Sequence, residues 1–234
     1  MSAAGMDLAR VSRSEICRYL GAKNGKTDEA GYRLIEDVLA ELNTKIRPAF
    51  LSRTFPLTVE EVALPVEEGV YLSDEDAAKE RFLRVSERTE KPLIDLTCFR
   101  IRSESLYRNL HGCDEVILFA ATLGEGADFL IRRYEKVKMS RAAVCQAASA
   151  AMIEAYCNVL CDSWKTEYAA KGRRIRPRFA CGFGDFPLTY QHKFMQVLEM
   201  EKRLGIRLND SLLMVPTKSV TALVGVESAS GGDA

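Results

Sequence analysis

One stretch limits what this chain can become. From Ser140 to about Lys171 it carries Ala142, Ala143, Ala147, Ala148, Ala150, Ala151 and Ala155. Alanine is the strongest helix former, so this reads as one long helix, stopped at Gly172. Its small side chains let another backbone approach closely. The other elements must be arranged around it.

Upstream, Glu115 to Thr122 is apolar without alternation from Val116 on, which predicts a strand buried on both faces. Leu123-Gly124-Glu125-Gly126 makes a tight turn into a helix over Ala127–Val137. That turn lacks the Lys-Ser/Thr of a phosphate loop and the third glycine of a dinucleotide fingerprint. Earlier still, helices are expected over Ser14–Leu20, with Ser14 as N-cap, and over Thr27–Asn43, with Thr27 or Asp28 as cap. Extended segments follow at Ala49–Leu57, Val59–Val66 and Leu93–Phe99, with helix starts at Ser73 and Ser103. Beyond the long helix, Arg176–Phe186 reads as extended or looped and Leu188–Leu204 as a second good helix with Gly205 at its C′ position. Leu212–Val215 and Ser219–Val226 are strand-like, joined by a turn at Pro216-Thr217-Lys218. Strands and helices do not alternate strictly, so a doubly wound sheet is disfavoured. The expectation is an α+β fold: a mostly antiparallel twisted sheet packed by helices, with residues 1–45 as a helical N-terminal portion. Residues 1–227 are read as a single domain and 228–234 as a flexible tail.

Lys plus Arg and Asp plus Glu both number 33, which argues against a nucleic-acid protein. With 47% hydrophobic residues, a core needs no disulfide staples. The seven cysteines are odd in number and never spaced CxxC, so they read as small buried hydrophobes in a reducing cytosol. Met1–Arg10 has no apolar signal region, and no run approaches the ~20 apolar residues of a membrane span. A cytoplasmic protein without membrane contact is expected.

Among chemical candidates, Arg178-Phe179-Ala180-Cys181-Gly182-Phe183-Gly184-Asp185-Phe186-Pro187 stands out. Gly182 and Gly184 permit backbone geometry that other residues obstruct, and Arg178 can fork onto a carboxylate or phosphate. A plain glycine turn before a helix explains the spacing equally well. The arginines at 173, 174 and 176 read as a solvated basic edge, with one arginine of the run pointing at a ligand. Glu154, one turn from Ala150, Ala151, Cys157 and Asn158, fits either a pocket wall or an ordinary helix surface. Cys157 and Cys161 share a helix face, but two soft ligands do not complete a zinc site, and the two histidines, His111 and His192, are distant in sequence. The same shortage weakens Cys181 with His192 as a nucleophile and base.

The order of these pieces resembles the activation (reactivation) domain of vitamin B12-dependent methionine synthase. Arg178 to Gly182-Phe183 is similar to that family's Arg-x-(Ser/Ala)-Pro-Gly-Tyr motif, and Gly184-Asp185-Phe186-Pro187-Leu188 to its continuation in stand-alone relatives. Further matches are Glu201–Leu208, Ser211–Val220 and, upstream, Leu118–Gly124. The resemblance runs from about Leu93 to Val226. It implies a protein that binds S-adenosyl-L-methionine (AdoMet) and supports reductive methylation of cob(II)alamin. The cobalamin would be supplied by a partner, a cobalamin-binding methionine synthase or other corrinoid protein, and the electron by a flavodoxin-like donor. By resemblance, Arg178 meets the methionyl carboxylate, the backbone at Ala180 and Gly182 lines the ligand, and Glu154 faces its amino or sulfonium end. Phe183 occupies the family's tyrosine position and so lacks the hydroxyl; Cys181 replaces a proline. No counterpart is found for the family's N-terminal ligand-contacting aspartate. An activator of another corrinoid methyltransferase, or an interaction module without AdoMet, are the alternatives.

Overall fold

The computed structural model describes residues 7–60 and 91–228. The expected helix start at Ser73, the end of the Val59–Val66 segment and residues 229–234 lie outside them.

Three antiparallel strands form the central sheet, in the order β1 (Ala49–Pro56), β5 (Cys113–Thr122), β8 (Ser219–Glu227). Register runs from Ala49 opposite Thr122 and from Thr122 opposite Ser219. The unbroken apolar run of β5 now has its reason. Ile117, Phe119 and Ala121 enter one hydrophobic cluster; Val116, Leu118 and Ala120 enter another on the opposite face. A strand covered on both sides has no face to leave polar.

The first cluster is built by α1 (Arg13–Tyr19), α2 (Glu29–Lys45), α4 (Gly126–Val137) and α5 (Met139–Ala169). α5 is long and apolar enough to cross a membrane by length and composition, but it lies in this core. Ala147, Ala148, Ala151 and Ala155 are buried along it, and Trp164 packs edge-on against Phe119 at 5.1 Å and Phe50 at 6.4 Å. The second cluster gathers α3 (Glu104–Leu110), α6 (Gln191–Leu198) and α7 (Met200–Leu204). A small sheet, β2 (Thr58–Glu60), β3 (Leu93–Asp95) and β4 (Arg100–Arg102), and a two-stranded pair, β6 (Arg207–Leu208) with β7 (Met214–Val215), complete the described strands. The architecture is α+β with antiparallel sheets. Gly124 makes its turn at φ 74°, and a Cβ on Gly126 would collide with the Lys45 carbonyl, so α2 sets the entry angle of α4.

Four expectations need correction. Leu188–Leu204 is not one helix: a 3₁₀ turn at Leu188–Tyr190 precedes α6, and Glu199, at φ 52°, separates α6 from α7. Leu198 and Met200, two apart and so on opposite sides of an ideal helix, are both fully buried across this break. Leu93–Phe99 is extended only to Asp95, whose carboxylate accepts the Thr97 N–H at 2.7 Å and pairs with Arg100, bending the chain into a hairpin. Leu212–Val215 is a strand only at Met214–Val215, paired with β6, because Leu212 turns the chain at φ 62°. The first helix is capped by Ser12, which accepts from Glu15, not by Ser14.

Candidate functional site

β8 is an edge strand, and its outer edge is treated in two ways. Toward its end, Leu223 exchanges both main-chain bonds with Phe179 at 2.8 Å, Gly225 accepts from Arg176 at 2.8 Å, and Glu227 donates to Arg174 at 2.9 Å. The segment following α5 thus lies along this half as a partial fourth strand. Toward its start, Ser219 to Ala222 lines a cleft of about 320 Å³. Glu154 of α5, Arg178 to Cys181 and Phe183 of the glycine loop, Gln191 and Met214 complete its lining. The volume falls in the small-molecule range of ~300–1,000 Å³. A larger hollow of about 480 Å³ lies near Ser12, Glu15 and Arg18. It is open, and its polar groups already bond one another, Arg18 to Glu15 and Ser12 to Ser14.

The loop's position is set by Asp185. Its carboxylate accepts from the Ser103 hydroxyl at 2.6 Å and from the N–H groups of Glu104 and Ser105 at 2.9 and 3.0 Å, and pairs with Lys91 at 3.0 Å. It therefore caps α3 from 80 residues away. Burial alone would raise its pKa; the four donors outweigh burial and hold it well below the ordinary carboxylate range. Gly184 sits at φ 55°, where an added Cβ would strike the Ser105 side chain. Only glycine lets the loop press this closely on α3. Phe186 then buries beneath the loop, stacked on Phe179 with ring centroids 6.4 Å apart.

The arginines divide as the fold requires. Arg173 bonds Asp114, Glu115 and the Glu227 carbonyl; Arg174 and Arg176 meet the Glu227 carboxylate at 3.2 Å. Arg178 turns the other way, into the cleft. It donates to the Glu154 carboxylate at 2.5 Å and to the Asn158 side-chain oxygen at 2.6 Å. Burial disfavours the Arg178 cation, but Glu154 and the flanking thiols of Cys157 and Cys161 raise its pKa above the usual value. Those thiols are not poised nucleophiles. Burial pushes Cys157 and Cys181 up to about 12. Among the described residues no three His, Cys, Asp or Glu side chains converge on a metal site.

The fold thus brings Glu154, Arg178, Ala180 and Phe183 to one cleft. Phe183 is 64% exposed at its mouth. Gly182 does not line the cleft; at φ 90° it closes the loop by donating to the Phe186 carbonyl at 2.8 Å. Sequence reasoning missed Asn158 as the second partner of Arg178, Gln191, and the Ser219–Ala222 edge. Only Asn158 carried a signal, one turn after Glu154.

Residues 106–231 match the family model described as the activation domain of vitamin B12-dependent methionine synthase. A solved structure of the MetH reactivation domain bound to AdoHcy has the same fold: TM-score 0.53, 17% identity, covering 88% of this chain and 67% of that one. No curated protein matches the chain. The matched span is more than half of the sequence and contains the glycine loop, Glu154, Arg178 and β8, so this chain belongs to the family of vitamin B12-dependent methionine synthase activation domains.

Proposed function

We propose that the cleft binds AdoMet and that the chain supports the reductive methylation of cob(II)alamin held by a partner corrinoid protein. The observation that carries this reading is the Arg178–Glu154 pair on the cleft wall. An arginine and a carboxylate side by side are the electrostatic complement of an amino-acid zwitterion. Arg178 would take the methionyl carboxylate as a forked partner, and Glu154 the ammonium or the neighbouring sulfonium. With no ligand, the two neutralise each other. AdoMet, when bound, supplies an electrophilic methyl group.

The residues of this chain orient and shield; they abstract no proton. No base is needed for delivery of a methyl group to cobalt, which agrees with thiols held in the neutral form by burial. Exposed Phe183 stands at the mouth, where a partner's corrinoid would have to approach. The electron would come from a flavodoxin-like donor. Support for these partners is family membership alone.

Calorimetric titration of AdoMet into the purified chain tests the reading. Saturable binding is expected, and Arg178→Ala should weaken it roughly 30-fold, about 2 kcal/mol for a charge-assisted contact. A folded wild-type chain that binds neither AdoMet nor AdoHcy would remove the reading.

A further inference from the structure

The charged end of the cleft accounts for one end of a ligand. The remaining wall contains hydrogen-bonding groups that the fold itself leaves without partners. Gln191 opens α6 and is 7% exposed, yet its side-chain oxygen has no hydrogen-bond partner among the described residues. Burying a polar atom in this way destabilises the fold, because it gives up its bonds to water and gains none in return. Gln191 also lines the cleft.

The second observation is independent and lies in the main chain of β8. Leu223 and Gly225 direct their main-chain groups outward, to Phe179 and Arg176. In an antiparallel ladder this direction alternates, so Thr221, opposite Ala120, directs its N–H and C=O to the same outer edge. The covering segment stops at Phe179, which leaves these two groups without a main-chain partner among the described residues. Thr221 is 3% exposed and, like Gln191, lines the cleft.

Together Gln191 and the Thr221 main chain add one neutral donor and two neutral acceptors, and no charge, to the lining of the cleft. Such a surface suits a flat, uncharged heteroatom edge rather than a carboxylate or ammonium. We propose that Gln191, with the main chain of Thr221, is the specificity wall for the nucleoside end of the ligand, the Gln191 amide oxygen accepting a hydrogen bond from the adenine amino group or a ribose hydroxyl. The inference rests on the AdoMet reading and extends it to the base. The terminal torsion of glutamine is broad, so the amide can turn its oxygen to an arriving donor. Without ligand the group weakens the fold; with ligand it is satisfied. That trade of stability for recognition distinguishes a ligand-reading residue from a packing residue.

The test compares the full-length wild-type chain with Gln191→Met, which keeps the length of the side chain and removes its hydrogen bonding. AdoHcy and S-inosylhomocysteine, in which the amino group is replaced by a carbonyl, are titrated into both, and both are melted without ligand. The expected result is AdoHcy binding about tenfold weaker in the variant, with an unliganded melting temperature equal to or above wild type. If the wild-type advantage disappears with the inosine analogue, the donor is the amino group. If it persists, the donor is a ribose hydroxyl. Either pattern supports the wall. Unchanged AdoHcy affinity would overturn the proposal, as would a melting temperature several degrees lower, which would make the amide a structural group. Failure of the AdoMet reading looks different: the wild-type chain itself would not bind AdoHcy, and the proposal would fall with it.

Discussion

The two halves of the β8 edge began with the same liability, a row of outward main-chain groups. From Leu223 to Glu227 the fold removes it by laying residues 174–179 alongside. From Ser219 to Ala222 it leaves the edge facing a cleft. The covering segment ends where Arg178 turns toward Glu154 and the glycine loop begins. Edge strands are usually blunted because they invite unwanted pairing. Here one half is blunted by the chain, and the other, on the proposed reading, is kept for a ligand that can supply the missing hydrogen bonds. On the proposed reading the loop and the helix beside it have two separable tasks, one structural and one recognitive, and these fall to different side chains.

The structural task falls to Asp185, and its removal should have the largest effect. Asp185→Ala strips four donors of their acceptor, among them the N–H groups of Glu104 and Ser105 at the start of α3, where only the Ser103 cap on Leu106 would remain. The expected loss is about 3 kcal/mol, from charge-assisted bonds worth ~1.5–3 kcal/mol each that do not add fully. Chemical denaturation at pH 7 measures it. Because the folded-state pKa is depressed, the contribution is complete above the unfolded value of about 3.9 and declines as pH falls through the lower folded value. The gap between wild type and Asp185→Ala should therefore narrow below about pH 4. A gap that stays constant to pH 2 would show that Asp185 stabilises by something other than its charge.

The proposed recognitive task falls to Arg178 and Glu154, where binding should move and stability should not. Glu154 is 41% exposed, and its removal leaves the partly buried Arg178 cation with its remaining partner, Asn158. Glu154→Gln should cost AdoMet affinity roughly fivefold, about 1 kcal/mol for a half-solvated ion pair, while the melting temperature shifts little. Arg178 would still hold Asn158. A variant that unfolds easily but binds normally when folded would reverse the assignment and make the pair structural.

How much of this was legible follows from the range of each interaction. The helix Met139–Ala169 and strand Cys113–Thr122 were readable because their signals are local: alanine propensity in one, a run buried on both faces in the other. The glycine loop was readable as a motif, and Glu154 as a candidate, but their meeting was not a matter of spacing. It depends on the chain leaving α5, pairing with the far half of β8 and returning. Asp185 was visible in the motif, yet the Ser103 to Ser105 donors it binds lie 80 to 82 residues upstream, so its capping role had no local sign. The break at Glu199 was hidden because the apolar spacing of Leu188–Leu204 fits a helix until the packing of Leu198 and Met200 against the sheet is known. Gln191 was silent for a similar reason: a glutamine at a helix start is ordinary until its burial is seen.

The smallest expected effect separates the arginines of the loop's approach. Arg174 and Arg178 are four residues apart in one basic run, and composition treats them alike. Arg174 lies on the blunted half of the edge, 79% exposed, paired with a Glu227 carboxylate that Arg176 also serves. Arg174→Ala should change stability by ~0.5 kcal/mol or less and leave AdoMet affinity within twofold of wild type at physiological salt, because an exposed pair is screened and its partner keeps a second cation. Arg178→Ala in the same titration should show the large loss. Equal losses in the two variants would mean that the run acts as a diffuse positive field steering an anionic partner, and the division of the β8 edge into a structural and a recognitive half would have to be given up.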